Sequence, residues 1–589
     1  MKSWAPMRVA NLLPVGLLAA AVLVSAAGKG DAQLATAPPS APIAYLDQGW
    51  SAQDRETFYR TSQGSHLMPY AWFKALKQAG ANTPFAIDQL SRYGYLTDDS
   101  PQNIDGLPIG FVIDARSKPN ELGLTCAACH TGQLDYIKDG VSHTLRIDGA
   151  PALADFQQFL TDLDDAARET LADSHRFDDF ARIVLGADYS PAAVNALQGD
   201  FGQWFAKFDA IMSASLPKQT PWGPGRLDAF GMIFNRVTGL DLDDERNYAT
   251  ADAPVSYPFL WNAHAQDKVQ WNGAAPNGLY VTALGRNTGE VFGVFADFKP
   301  YALPLPTSPS IVMYNSTSAD FEGLATLEEK LAALKPPPWP KDLFGFNQAL
   351  ANRGAKVFSQ NCASCHYDRP SSEVPSASAT PLFAVGTDPR MVLNSGRTAE
   401  TGILENSVQL RLPAGVFGPR ATAGDILQTS VVGSLIAHAA GTPFGPDNAV
   451  WRALRADAQG LTVDQLPGYL QARLANLYRK PSQSGAGAAY EARSLHGIWA
   501  TGPYLHNGSV PNLWELLTPP AQRHPTFYVG SRTFDPVNVG FASDKSPYKT
   551  GNLVTDLNNS NGNGNAGHDY GTQLSSADRW ALIEYLKSY

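Results

Sequence analysis

Cysteine is the scarce residue of this chain, four in 589, far too few for a disulfide-stapled scaffold. Basic runs are missing as well. Lys+Arg 45 against Asp+Glu 55 gives a formal net charge of −10, and no stretch is basic enough to track a phosphate backbone or an anionic membrane surface. Nucleic acid is therefore excluded as a partner. Beyond the N-terminus no apolar run reaches bilayer-spanning length. What remains is an ordinary globular composition, 44% apolar and 17% charged, with Gly 51 and Pro 43 pointing to long ordered loops. A chain of this length exceeds one hydrophobic core, and about two to four domains are expected.

The four cysteines fall in two copies of one motif, Cys126-Ala-Ala-Cys129-His130 and Cys362-Ala-Ser-Cys365-His366. C-x-x-C-H is the attachment signature of c-type haem. Both thiols add across the haem vinyl groups, and the adjacent histidine becomes the proximal iron ligand. The competing reading is a structural zinc site or a pair of disulfides. Two identical signatures that consume every cysteine favour two covalent haems, with Cys126, Cys129, Cys362 and Cys365 holding the porphyrins and His130 and His366 the irons.

The N-terminus reads as an export signal. Lys2 and Arg8 precede an uncharged stretch from Val9 to Gly28, whose apolar heart Leu17–Val24 is followed by small residues at Ser25, Ala26 and Ala27 suited to cleavage. An uncleaved anchor is the alternative, since the run just reaches spanning length. With cleavage no membrane span remains, and the expected location is the periplasm or outside the cell, where c-type attachment takes place. Ala35–Pro42 reads as a flexible tether.

Apolar spacing predicts helix between Asp54 and Gly80, over Phe156–Ala172, over Leu324–Leu334, through Ala351–Phe358 and over Leu574–Leu586. Prolines at 300, 304, 306 and 309, and again from Pro336 to Pro340, mark an inter-domain connection. The expected fold is mainly α, two cytochrome c-like haem domains with long loops and little β structure. The boundaries are 1–33 for the signal peptide and start of the tether, 34–300 for the first haem domain, 301–345 for the Pro-rich connection and 346–589 for the second haem domain. The second half has a small-cytochrome plan of N-terminal helix, haem motif, loops and C-terminal helix.

In such a plan the sixth iron ligand comes from a loop shortly before the last helix. His568 lies there, in Asn565-Ala-Gly-His568-Asp-Tyr-Gly571, and would give a six-coordinate, electron-transferring iron. His506, in Thr501-Gly-Pro-Tyr504-Leu-His506-Asn-Gly508, is the rival and reads better as a residue behind the ligand shell. For the first haem only His264 is in an obvious distal position. Without it that iron is open to a small oxidant.

The haem motifs in their settings, Val269-Gln-Trp271-Asn-Gly273 and Thr501-Gly-Pro-Tyr504-Leu-His506-Asn-Gly508 together resemble the bacterial di-haem cytochrome c peroxidase superfamily, which includes MauG-type enzymes and rubber oxygenases. Trp222-Gly-Pro-Gly-Arg226 and the chain length are most similar to the rubber-oxygenase branch. The resemblance implies that Trp271 lies between the haems and that His568 is the sixth ligand of the second. It also implies that Glu290, within one residue of the catalytic glutamate, shuttles the peroxide proton, with Arg286 near the same pocket. A buried core tryptophan and a solvated helix glutamate are the plainer readings of Trp271 and Glu290. Tyr248 and Ala249 stand where many peroxidases have a distal histidine, which favours an open first site, and no counterpart of the rubber oxygenases' distal phenylalanine is evident. The resemblance also allows a calcium ion between the domains.

The function implied is a periplasmic di-haem c-type oxidoreductase. It would activate peroxide or O₂ at the first haem and relay electrons through the second, with an unknown organic substrate or periplasmic electron donor as partner. The alternative is a non-catalytic di-haem electron-transfer cytochrome.

Overall fold

In the computed structural model the described residues are 41–303, 310–366, 378–411, 414–441, 448–457, 489–548, 551–555 and 562–589. The export signal, most of the tether and the prolines at 304, 306 and 309 lie outside them. Among the described residues no helix is long and apolar enough to cross a membrane.

Each main helix starts on a polar cap and turns an apolar stripe inward. Asp155 accepts from the Gln158 N–H to open Phe156–Ala172, which buries Phe156, Phe159, Leu160, Leu163 and Ala167 at the three-to-four-residue spacing of one helix face. Ser190, with Pro191 at the first position, opens Pro191–Ser215, and the two helices share a core with Phe73, Phe85, Phe111 and Trp222. The segment read as one helical stretch from Asp54 to Gly80 is two helices, Ala52–Arg60 and Tyr70–Ala75. Gly64, at φ +87° with the Ser318 carbonyl 2.2 Å from where a Cβ would stand, and Pro69 interrupt the helical pattern.

β structure is distributed in small pieces. The strands pair into two- and three-stranded sheets, the longest being the hairpin Thr131–Lys138 with Val141–Asp148. That hairpin follows the first C-x-x-C-H directly and folds back on it: Gly149 donates to the His130 carbonyl and Ala152 to the Cys129 carbonyl.

The helix Gln348–Asn361, capped by Asn347, runs straight into Cys362. It crosses Ser576–Leu586, capped by Ser575, at Gly354, where a Cβ would stand 1.9 Å from the Ala581 carbonyl oxygen. Only glycine lets the two backbones meet this closely. Phe358 then packs on Tyr585 and Tyr589. A separate group of helices, Tyr280–Gly293, Phe321–Ala333, Ala423–Gly441 and Ala449–Asp457, buries Leu284, Val291, Phe292, Leu324, Ile426 and Leu435 together.

The described part of 301–345 packs onto the body of the fold. It contributes a strand pair, Tyr301–Ala302 with Val312–Met313, and the helix Phe321–Ala333. Its proline run is pinned by indoles, Trp499 Nε1 donating to the Pro337 carbonyl at 3.0 Å while Trp339 is buried against Trp499 and Phe534. Trp261 from the first half donates to the His496 carbonyl of the second at 2.7 Å. One apolar cluster therefore runs from Phe58 and Ala127 through Trp261 and Trp339 to Leu582.

Candidate haem sites

Both C-x-x-C-H motifs close with the same turn, the histidine N–H donating to the first cysteine's carbonyl at 2.9 Å. In the first, Thr125 caps the turn by accepting from Ala127 N–H. All four cysteines are free thiols. The imidazoles are fixed in matching ways: His130 Nδ1 lies 2.8 Å from the Pro258 carbonyl and His366 Nδ1 2.8 Å from the Arg493 carbonyl. A carbonyl only accepts, so Nδ1 carries the proton in each ring and Nε2 is bare, the tautomer that binds a metal. Burial pushes His130 down to about 4 and also lowers His366, keeping both neutral. Among the described residues no cluster of three or more His, Cys, Asp or Glu could hold a metal ion directly. The two motifs fit porphyrin-borne iron better than zinc.

His568 faces His366, their ring centroids 6.3 Å apart. Two imidazoles sharing a metal at nitrogen bonds of roughly 2 Å each have centroids about that far apart, so the gap fits one iron. His568 is half-buried, its buried Nδ1 has no hydrogen-bond partner, and burial followed by the neighbouring His366 pushes it down to about 4. Its loop is held on several sides. His568 adopts φ +48°, while its N–H donates to the Val385 carbonyl at 2.6 Å. Gly567, at φ +74°, passes so close to Gly386 that a Cβ would stand 2.2 Å from that backbone. Arg523 donates to the Asn565 and Gly567 carbonyls, and Asn507 to those of Gly562 and Gly564.

His506 takes a different place. It is buried face to face on Tyr490, centroids 4.1 Å apart, burial pushes it down to about 3, and its carbonyl accepts from Ser256 N–H. It joins the Asn507 loop to the strand before Trp271.

No histidine ring among the described residues faces His130 in the way His568 faces His366; the neighbouring ring is Tyr257, edge-on at 6.1 Å. His264 stands exposed on the short turn Ala263–Ala265. The half-buried carboxylate of Glu290, on the helix Tyr280–Gly293, lies close enough for its charge to act on the Cys126 thiol. Gln270 Nε2 donates to Glu290 Oε1 at 3.1 Å. Burial raises this carboxyl above the ordinary range, Arg286 one turn earlier opposes the shift, and Glu328 reinforces it. Arg286 is itself ion-paired with Glu328 and donates to Asn277.

Trp271 sits in the wall that carries both proximal anchors. Its indole N–H donates to the Ser256 carbonyl at 2.9 Å, its own carbonyl accepts from Glu491 N–H, and the Arg493 guanidinium lies 5.0 Å from its ring. Sequence reasoning named Trp271 and Glu290 but missed Gln270, Arg493, Arg523 and Pro258. Gln270 was available beside Trp271 in the quoted segment. Pro258 and the Arg493 carbonyl act through the main chain, for which no side-chain signal exists.

A family model described as RoxA-like, cytochrome c-like matches residues 489–529, the stretch containing Arg493, His506 and Arg523. Uncharacterized protein y4iJ of Sinorhizobium fredii is 32% identical over 609 residues, covering 93% of each chain. This protein belongs to the y4iJ family. Uncharacterized protein y4iM of the same organism is 26% identical over 413 residues, 66% of this chain and 77% of its own length. The y4iJ-family chain thus carries a RoxA-like cytochrome c segment, which makes it a haem protein of the oxidoreductase or electron-transfer class.

Proposed function

We propose that the protein is an exported di-haem c oxidoreductase that activates peroxide or O₂ at the Cys126–His130 haem and relays electrons through the Cys362–His366 haem. One observation carries this reading. The two proximal histidines are anchored alike, yet His366 has an imidazole 6.3 Å across from it while His130 has no such partner among the described residues, only the Glu290 carboxylate near its motif.

The haems supply the redox chemistry; the chain supplies position, charge and a proton. Gln270 occupies Oε1 of Glu290, which leaves Oε2 as the oxygen that takes a proton from an incoming peroxide and returns it to the departing oxygen. Pairing Arg286 with Glu328 limits its pull on that proton. Trp271, clamped between Ser256 and Glu491, offers a fixed aromatic between the two halves. Export is supported by Lys2, Arg8 and the apolar run after them.

The test is an optical and EPR titration of the purified holoprotein. One high-spin haem that shifts with cyanide or peroxide, beside one low-spin haem that does not, is expected. Two low-spin haems indifferent to peroxide, cyanide and O₂ would sink the proposal and leave an electron-transfer cytochrome. Steady oxidation of a reduced small cytochrome by peroxide separates a peroxidase from an oxygenase.

A further inference from the structure

The wall between the two haem motifs holds a buried cation that feels the charge of Glu491 but makes no contact ion pair. Arg493 is 5% exposed, and its Nε and Nη1 are buried with no hydrogen-bond partner. The guanidinium stands 5.0 Å from the centroid of the Trp271 ring and 5.4 Å from that of Phe259. Aromatic contact of this kind engages the guanidinium face and leaves the in-plane Nε and Nη1 donors unused, on a group suited to hydrogen-bonding a carboxylate edge-on. Glu491, two residues earlier, does not take that place: it forms no ion pair with Arg493, and its Oε1 lies 2.2 Å from where a Cβ on Gly273 would stand. Its Oε2 is buried and unpartnered too. A buried guanidinium with unused donors and no contact ion pair is unfavourable, so these donors suit an anion placed closer than Glu491.

The location says which anion. The carbonyl of Arg493 fixes His366 Nδ1, Phe259 follows Pro258, whose carbonyl fixes His130, and the Arg493 charge is felt at the His130 imidazole. A haem at either motif brings two propionate carboxylates. We propose that the Arg493 guanidinium binds a haem propionate in the wall between the two haems and, as a positioning residue, sets the reduction potential of the haem it holds. This rests on the di-haem reading above but not on which oxidant is used. One-electron reduction of a ferric haem adds one negative charge, which a fixed guanidinium nearby favours.

The experiment compares wild-type holoprotein with Arg493→Gln and Arg493→Lys by spectroelectrochemical titration, with haem content counted in each. Arg493→Gln is expected to keep two haems and the low-spin signature, and to weaken reduction of one haem by about tenfold or more in equilibrium constant. Arg493→Lys should recover most of that loss, because the charge returns without the in-plane donors. The haem that moves identifies whose propionate is bound. If Arg493→Gln yields no holoprotein, redox-difference infrared spectroscopy of wild type with carboxyl-labelled haem replaces it, and one propionate that stays ionised through acid titration is expected. Superimposable reduction curves in all three proteins, or propionates that all titrate as free carboxyls, overturn the proposal and leave the di-haem reading standing. Wild-type protein with fewer than two haems overturns both.

Discussion

At the scale of single residues, the two C-x-x-C-H motifs differ through what stands opposite a similarly anchored imidazole. His568→Ala is expected to keep both covalent haems and convert the second from low-spin to high-spin, read by the loss of its low-spin EPR signal; an unchanged signal would assign the sixth ligand elsewhere. Glu290→Gln removes the exchangeable carboxyl while conserving its size and the contact to Gln270. It is expected to lower peroxide turnover by about a hundredfold or more, with the spectra of both haems preserved. The candidate attachment residues stood out in the sequence because C-x-x-C-H is a dense local code. His568 was legible from its place before the last helix. The anchors that fix the tautomers were not, since Pro258 and Arg493 do so through main-chain oxygens far away in sequence.

At the scale of elements, the helix crossing at Gly354 sets the distance between the second haem motif and the terminal helix. Gly354→Ala would force the backbones apart and is expected to cost about 1–3 kcal/mol, measured by chemical denaturation. The helix Ala229–Phe234 offers a pH probe. Its cap Asp228 accepts from Gly231 and Ala253 N–H, and burial, opposed by those two hydrogen bonds, raises its carboxyl from 3.8 to about 6. The native state therefore holds this proton more tightly than the unfolded chain. Its contribution is full below about 3.8 and is lost as pH rises through about 6. The stability difference between wild type and Asp228→Asn should accordingly change between those values and be flat above them, in urea titrations at several pH values. Helix positions came readily from the sequence: Phe156–Ala172 has the bounds its spacing implied, and the last helix begins one residue after a capping serine. Two-residue strands such as Val255–Ser256 did not, because pairs so short carry no alternation to read.

At the scale of the whole molecule, the segment expected as a connection between haem domains is pinned at Pro337 and the buried Trp339. Trp499 and Trp261 tie it and the two halves into one apolar cluster. Trp499→Ala should cost about 3–5 kcal/mol, and thermal melts followed at the high-spin and low-spin haem bands should shift downward together. A melt in which one band moves alone would mean the halves unfold independently. Proline-rich composition signalled a break in helix and strand correctly, but burial of that break depends on indoles from distant parts of the chain, which no local window contains.

The two proximal anchors also impose an order in time. His130 waits for a carbonyl 128 residues downstream, and His366 for one 127 residues downstream. In the order in which the chain emerges, each pair of thiols is present long before the backbone that orients its imidazole. A haem joined to the cysteines as they appear would therefore spend the early life of the protein tethered at its edge with its iron loosely held. Each half would acquire its final ligand field only when its own closing segment arrived, the first half well before the second.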